Sequence, residues 1–292
     1  SWYPSFVGGV AWVGAFRTAG STFSATVPCW AFNSTAVTIA EVVSHEFGHT
    51  LGLRHHGTTS GETYYSGHGT GAVSWAPIMG VAYSAALSQW SKGEYAGANN
   101  RGQEDVGVIA DLSTNGLGAV ADEAGDTRAT AATLNALAGT IAQTGLITSS
   151  ADVDYFMFTI TGPANFSIAG APAAVAPNLD FGLELQDASG AILAASNPDL
   201  QLTAALSRTL SAGTYYIKVQ GVGRGTLLGD GYSNYGSIGP YTLSGTLGII
   251  GPPVITAPPV AQTVTAGSTL AFSVSAASSA ALTYQWHRDG RA

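Results

Sequence analysis

The chain has 292 residues and a formal net charge of −8, with 10% charged and 46% hydrophobic side chains. Average soluble domains carry roughly 25% charged residues, so this Gly-, Ala-, Ser- and Thr-rich composition favours a β-rich, loop-rich extracellular protein. The acidic balance gives no electrostatic support for nucleic-acid binding. No apolar run reaches the roughly 18 residues of a membrane span, and the length allows two domains and part of a third.

The first third of the chain predicts strands followed by one helix. Residues 7–16 and 25–32 are aromatic and β-branched between Gly and Ser/Thr breaks, which is typical of strands. Apolar residues then recur at helical spacing and predict one buried face. That face comprises Ala36, Ala40, Val43, Phe47 and Leu51.

Both ends of this helix carry signals in the sequence. Thr38 followed by Glu41 is a candidate capping box, and Asn33 and Ser34 are earlier candidates for the N-cap. Gly52 is placed to end the helix in a left-handed conformation.

Residues 45–57 read HEFGHTLGLRHHG and predict a metal site. His45 and His49 are one helical turn apart and share a face, opposite the predicted buried face, and Glu46 lies beside them. The turn at Gly52 can return His55 as a third nitrogen ligand. Three protein ligands leave a position for a water that zinc acidifies to a pKa of about 7 and that Glu46 can deprotonate.

Two further histidines compete for the metal in principle. His56 is the rival third ligand, but the spacing favours His55. His68 lies in a Gly-rich stretch and is interpreted as a loop residue. The single cysteine, Cys29, is interpreted as an inert thiol, with a partner in upstream sequence as the alternative.

The pattern HExxHxxGxxH resembles that of the metzincin metallopeptidases, closest to reprolysin-like bacterial peptidases. This resemblance implies an α+β catalytic domain, N-terminally truncated in this chain, and one catalytic Zn²⁺. It also implies a Met-turn at residues 76–80 (APIMG), with Met79 as a hydrophobic floor under the metal. Residues 7–16 would then be the edge strand that binds extended peptides.

One position departs from the pattern of that family. Two metzincin subfamilies place a tyrosine two residues after the methionine, where this chain has Val81. Tyr83, four residues after Met79, is a candidate for stabilising the oxyanion, with packing as the alternative.

The sequence after the metal motif predicts a short helix and then an all-β region. Residues 103–112 are amphipathic, and residues 113–127 are small and acidic, as expected at a domain boundary. Short strands are expected at 155–160, 181–186 and 214–220, with a turn at 187–190, which favours a β-sandwich.

Residues 126–134, 151–159 and 212–219 resemble the bacterial pre-peptidase C-terminal domain, a β-sandwich appended to secreted peptidases. Asp152, Asp154 and Asp180 are candidate calcium ligands, since hard oxygen ligands suit Ca²⁺. Turn or solvated carboxylates are the alternative interpretation.

The last residues resemble the start of an immunoglobulin-like domain. Trp286, in YQWHRDG, fits the buried tryptophan of strand C, and Phe272 falls in the preceding core strand. Strands are expected at 270–275 and 282–287. The expected division is a catalytic domain over 1–120, a sandwich over 121–248, a Pro-rich linker over 249–259 and a partial immunoglobulin-like segment over 260–292.

The resulting hypothesis is a secreted zinc endopeptidase acting on protein or peptide substrates through a zinc-bound water activated by Glu46. The alternative is a zinc-binding adhesion protein with a degenerate catalytic domain. Glu46 argues against that alternative, because an inactive homologue has no chemical need for this carboxylate. A structural zinc site is disfavoured since the motif offers no fourth protein ligand. The sequence does not indicate an oligomeric state.

Overall fold

A computed structural model describes residues 8–18, 29–251, 254–277 and 282–287. The elements of the first region are β1 (Gly9–Val10), α1 (Ala15–Thr18), β2 (Trp30–Ala31), α2 (Ala36–Leu51), β3 (Trp75–Pro77), β4 (Leu87–Gln89) and α3 (Asp105–Ala110). Then follow β5 (Ala132–Thr133), β6 (Ala136–Leu137), β7 (Thr140–Ile147), β8 (Val153–Ile160), β9 (Ala164–Pro172), β10 (Phe181–Asp187), β11 (Ile192–Ser196), β12 (Ala204–Leu210), β13 (Gly213–Gly221) and β14 (Gly239–Ile249). The last two strands are β15 (Val254–Ala257) and β16 (Ser275–Ala277). No described helix is long and apolar enough to cross a membrane.

The N-cap of helix α2 is not among the residues predicted for it. Thr35 is the N-cap, and its hydroxyl accepts a hydrogen bond from the Thr38 amide. Thr38 is therefore inside the helix, and the predictions of Asn33, Ser34 or a Thr38–Glu41 capping box are wrong. Gly52 ends the helix with φ 108°, so the predicted left-handed terminus is confirmed.

The buried face of α2 differs from the predicted one. Val43 and Phe47 are 46% and 39% exposed, whereas Val42, Glu46 and His49 are buried. The reason is that the chain after the helix packs on the ligand side, while Phe47 meets the ring of Phe16 at 6.4 Å. Leu51, at the end of the helix, is the predicted face residue that is fully buried.

The short elements of the first region are mostly held by turns and loops. β1 and β2 pair antiparallel, but α1 occupies part of the predicted strand 7–16, and residues 25–28 of the second predicted strand lie outside the described residues. β3 and β4 pair parallel. The predicted helix at 103–112 is confirmed as α3.

Residues 132–249 form the predicted β-sandwich. One sheet has the order β11-β10-β13-β8-β5 and the other β12-β9-β14-β7-β6. Residues in β8 and β13 alternate between more and less buried positions, as expected of strands with one face on a core. The inner faces supply a continuous apolar core that includes Phe156, Phe166, Phe181, Ile217 and Leu243.

The strands of the C-terminal tail lie at other residues than those predicted. β15 lies inside the predicted linker and pairs with β16, which starts at Ser275. No strand is assigned among the described residues 282–287. Trp286 is 53% exposed and its ring lies 6.2 Å from that of the half-exposed Phe272, so the predicted burial of this tryptophan is wrong.

Candidate metal centre

Three imidazole side chains converge beside the C-terminal half of α2. His45 and His49 lie one turn apart on the helix, and the left-handed turn at Gly52 returns the chain so that His55 faces them. One nitrogen of each ring lies within 4.8 Å of the other two. The predicted candidate ligands are thus brought together by one helix and the turn that follows it.

Main-chain carbonyls fix the protonation of two of these rings. His45 Nδ1 lies 2.7 Å from the Ile78 carbonyl, and His49 Nδ1 lies 2.8 Å from the Leu53 carbonyl. Because a carbonyl can only accept, both Nδ1 atoms carry the proton and donate it. Each Nε2 therefore keeps its lone pair, which is the tautomer that a metal requires.

Burial keeps these imidazoles neutral. It lowers the pKa of His45 to about 4 and that of His55 to about 4, and it also lowers the pKa of His49. Neutral imidazole is the form that coordinates a metal, so the ligands are available over the neutral pH range.

The donor set fits zinc. Two nitrogens of a tetrahedral site with Zn–N distances of about 2.0–2.1 Å lie about 3.3 Å apart. His49 Nε2 and His55 Nε2 are 2.9 Å apart, so a small opening of the pair accommodates the ion. Three nitrogen donors without a fourth protein ligand in the motif are typical of catalytic zinc sites.

Glu46 lines the same cleft as the three histidines. The cleft has a volume of about 870 Å³ and is bounded by β1, α2, residues 62–66 and residues 78–83. Burial raises the pKa of Glu46 to about 7. A Cβ on Gly9 would lie 2.6 Å from Glu46 Oε1, so glycine at this position lets β1 approach the carboxylate.

Met79 lies in the turn after β3 and is fully buried. A Cβ on Gly48 of α2 would lie 2.7 Å from Met79 Sδ, so the absence of a side chain there lets the sulfur pack on the helix between the ligands His45 and His49. The neighbouring carbonyl of Ile78 accepts the His45 hydrogen bond. The turn thus both underlies the helix and orients a ligand.

Tyr64 and Tyr83 line the cleft, and the sequence analysis named only Tyr83 as a candidate site residue. Tyr83 is 46% exposed, and its hydroxyl is close to Gly8, the residue before β1. Tyr64 was missed: its ring lies 4.2 Å from that of His55 and 6.1 Å from that of His45. Its position depends on the fold of a Gly- and Ser-rich loop, which no local spacing reveals.

His56 and His68 do not belong to this cluster. His56 is fully buried, and its Nε2 donates to both carboxylate oxygens of Asp105, at 3.1 and 3.2 Å. His68 interacts with the Tyr65 hydroxyl and the Gly231 carbonyl. Cys29 is a free, partly buried thiol.

The carboxylates proposed for calcium do not form one group. Asp152 accepts from Thr148, Asp154 from Tyr241 and Asp180 from Tyr232. All three are buried, so the interpretation as solvated carboxylates is wrong, whereas the interpretation as a turn carboxylate fits Asp152, whose partner Thr148 lies four residues earlier. The partners of Asp154 and Asp180 are 87 and 52 residues away along the chain, so the sequence spacing does not reveal these two hydrogen bonds.

Residues 3–56 match the reprolysin-like metallopeptidase family M12B, and the match contains all three histidines and Glu46. No curated protein matches the chain. Among solved structures, the pre-peptidase C-terminal domain of a collagenase from Bacillus anthracis is similar at 16% identity and a TM-score of 0.28. That alignment covers 37% of this chain and 89% of that chain. The matched segment contains the metal cluster, and the rest of the chain lies outside the match.

Proposed function

We propose that this protein is a secreted zinc-dependent endopeptidase, with His45, His49 and His55 as zinc ligands and Glu46 as general base. The observation that carries the proposal is the convergence of three neutral imidazoles in a cleft that Glu46 also lines. The match of residues 3–56 to reprolysin-like metallopeptidases supports the same class of enzyme.

Each side chain has a defined task in this proposal. When bound, zinc polarises a carbonyl and acidifies water towards a pKa of about 7. Glu46, with a pKa raised to about 7 by burial, accepts a proton from the attacking water and returns it to the leaving amine. The Ile78 and Leu53 carbonyls hold His45 and His49 in the ligating tautomer, and Met79 supports the helix beneath them.

The substrates are proteins or peptides in extended conformation. Gly8, Gly9 and Val10, which include β1, form one wall of the cleft, and a peptide laid along that wall gains main-chain hydrogen bonds. Tyr83 and Tyr64 lie on the cleft as groups that contact bound substrate. In this proposal the chain divides into a catalytic domain over 1–120, the sandwich over 121–248, the linker over 249–259 and an immunoglobulin-like segment over 260–292.

The competing function is zinc-dependent binding without catalysis, in which the sandwich carries a degenerate catalytic domain. The test measures zinc content and casein cleavage for the wild type and Glu46→Gln. Since general-base catalysis contributes typically 10²–10⁴-fold, we expect one zinc in both proteins and a loss of activity of about that size in the variant. Zinc in both with cleavage in neither would favour the binding protein, and an active Glu46→Gln would disprove the role of Glu46.

A further inference from the structure

The metal-site region and the sandwich share a buried interface. One apolar cluster draws residues from both: Val73, Trp75, Leu87, Tyr95 and Ala98 from the first region, and Leu202 and Tyr232 from the sandwich. Polar contacts cross the same boundary, since the Tyr235 hydroxyl accepts from the Val106 amide at 3.0 Å. The sandwich is therefore packed against the region that carries the histidines.

Gln89, at the end of β4, is 1% exposed and makes side-chain hydrogen bonds across this interface. Its Nε2 donates to the Asn178 carbonyl at 2.7 Å and to Ser237 Oγ at 2.9 Å, both in the sandwich region. Its Oε1 accepts from Trp75 Nε1 at 2.8 Å. Glutamine is the uncharged side chain long enough to donate twice and accept once here, and burying it without these partners would be costly.

Residues 177–178 of the sandwich region also hydrogen-bond to the backbone of β4. Asn178 Nδ2 donates to the Ser88 carbonyl at 2.6 Å, and the Ser88 amide donates to the Pro177 carbonyl at 3.3 Å. Strand β4 is thus bound by both its backbone and the side chain of Gln89 to residues 177–178 and 237.

Two hydrogen bonds connect β4 to the candidate metal ligand His45 through Ile78. The backbone carbonyl of Gln89 accepts from the Ile78 amide at 2.8 Å, and the Ile78 carbonyl accepts from His45 Nδ1 at 2.7 Å. A shift of β4 therefore moves Ile78, the residue whose carbonyl sets the orientation of His45. Such supporting hydrogen bonds fix ring orientation and ligand basicity in metal sites.

We propose that Gln89 is a positioning residue for the metal centre and that the sandwich, through residues 177–178 and 237, sets the geometry of His45. The sandwich is then part of the catalytic unit and not a tethered accessory. This inference rests on the proposed function, because it requires that His45 bind a metal.

The test uses Gln89→Met in the full chain, since methionine keeps the length of the side chain and removes its three hydrogen bonds. Zn²⁺ affinity is measured by competition with a chromophoric chelator, and the ligand field by the visible absorption of the Co²⁺-substituted protein. Loss of a hydrogen bond that supports a metal ligand typically costs 10–100-fold in affinity, so we expect Zn²⁺ to bind about 10-fold more weakly. The Co²⁺ absorption bands should shift as well.

A matched pair of serine variants distinguishes an effect on the orientation of His45 from a general loss of folding stability. Ser237→Ala removes a hydroxyl that contacts Gln89 and the Val222 carbonyl. Ser233→Ala removes a hydroxyl that contacts Glu94 and the Tyr235 amide. Ser233 lies on the same loop as Ser237 and also at the interface. We expect Ser237→Ala to weaken Zn²⁺ binding by about 3-fold and Ser233→Ala by less than 2-fold, with urea unfolding of both measured alongside.

The outcomes distinguish the two proposals. Wild-type protein that binds neither Zn²⁺ nor Co²⁺ at the histidines overturns the proposed function and this inference together. Metal binding by the wild type with unchanged affinity and spectrum in Gln89→Met overturns the inference alone. If Gln89→Met does not fold, equal Zn²⁺ affinities in the two serine variants overturn it.

Discussion

The metal-site region and the sandwich are stabilised in different ways. Between residues 41 and 105, the buried positions include polar side chains that hydrogen-bond to partners far along the chain. These are Glu41, His56, Ser88, Gln89 and Asp105. The sandwich instead buries apolar side chains from two sheets in one core. The stability of the first region therefore depends more on paired polar groups. The stability of the sandwich depends more on the area and shape of its apolar core.

The largest effect is expected in the sandwich core. Phe181 is fully buried and packs between Gly170 and the ring of Tyr241, whose centroid is 5.4 Å away. Phe181→Ala should lower the free energy of unfolding by about 3–5 kcal/mol through lost burial and a cavity. Phe47→Ala on the half-exposed face of α2 should cost about 1 kcal/mol or less in urea unfolding. Equal costs would show that the exposed face of α2 is covered in solution.

The second effect tests the polar pairing of the metal-site region. His56→Ala leaves the buried carboxylate of Asp105 without its histidine donor, although the Ser91 amide and Gln103 still donate to it. Loss of a partner to a buried, charged acceptor should cost about 3 kcal/mol, measured by urea unfolding of the metal-free protein. Zinc stoichiometry should remain one, whereas His55→Ala should lose tight binding.

A double variant distinguishes pairing from packing at this site. Asp105→Asn replaces the carboxylate by a neutral amide, so His56→Ala combined with Asp105→Asn should recover part of the lost stability. Fully additive costs would mean that His56 acts as a packed ring and not as a hydrogen-bond donor. Loss of zinc in His56→Ala with binding retained in His55→Ala would move the third ligand to His56.

The third effect depends on pH. Asp180 is buried, its carboxylate accepts from Tyr232 at 2.8 Å, and burial raises its pKa to about 6. Its pKa in the unfolded chain is about 3.9, so the folded state binds the proton more tightly. The stability that this difference provides is present below about pH 4 and is lost as pH rises through 6. Asp180→Asn should reduce the loss between pH 4 and pH 7 by about 1–2 kcal/mol. An unchanged pH slope of the urea midpoint would contradict this assignment.

In both regions, the sequence predicts the features that depend on local spacing. The ligand spacing of His45, His49 and His55 is local, so a helix and one glycine turn are sufficient to bring the rings together. The strands of the sandwich follow from alternation, which is local as well. The prediction that Val43 is buried was wrong, because which face of a helix is covered depends on segments elsewhere in the chain.

The contacts that the sequence does not reveal join distant residues. Gln89 and Asn178, or His56 and Asp105, have no spacing that a periodic pattern could detect. Tyr64 is near His55 because a loop without regular structure returns to the cleft. The chemistry of the site could be predicted from its ligands, but the groups that orient those ligands required the fold.

The smallest effect concerns the start of α2, where the N-cap is Thr35 and not a residue that the sequence predicted. Thr35→Ala removes the hydroxyl that accepts from the Thr38 amide, and should lower the free energy of unfolding by about 1 kcal/mol. Ser34→Ala is the matched control: Ser34 was a candidate cap in the sequence, but in the structure it precedes the cap and is exposed. Its loss should cost less than about 0.5 kcal/mol. A larger cost for Ser34→Ala would shift the helix start by one residue. Both variants leave the ligand end of α2 unchanged, because a cap acts on the first turn and His45 lies more than two turns further on.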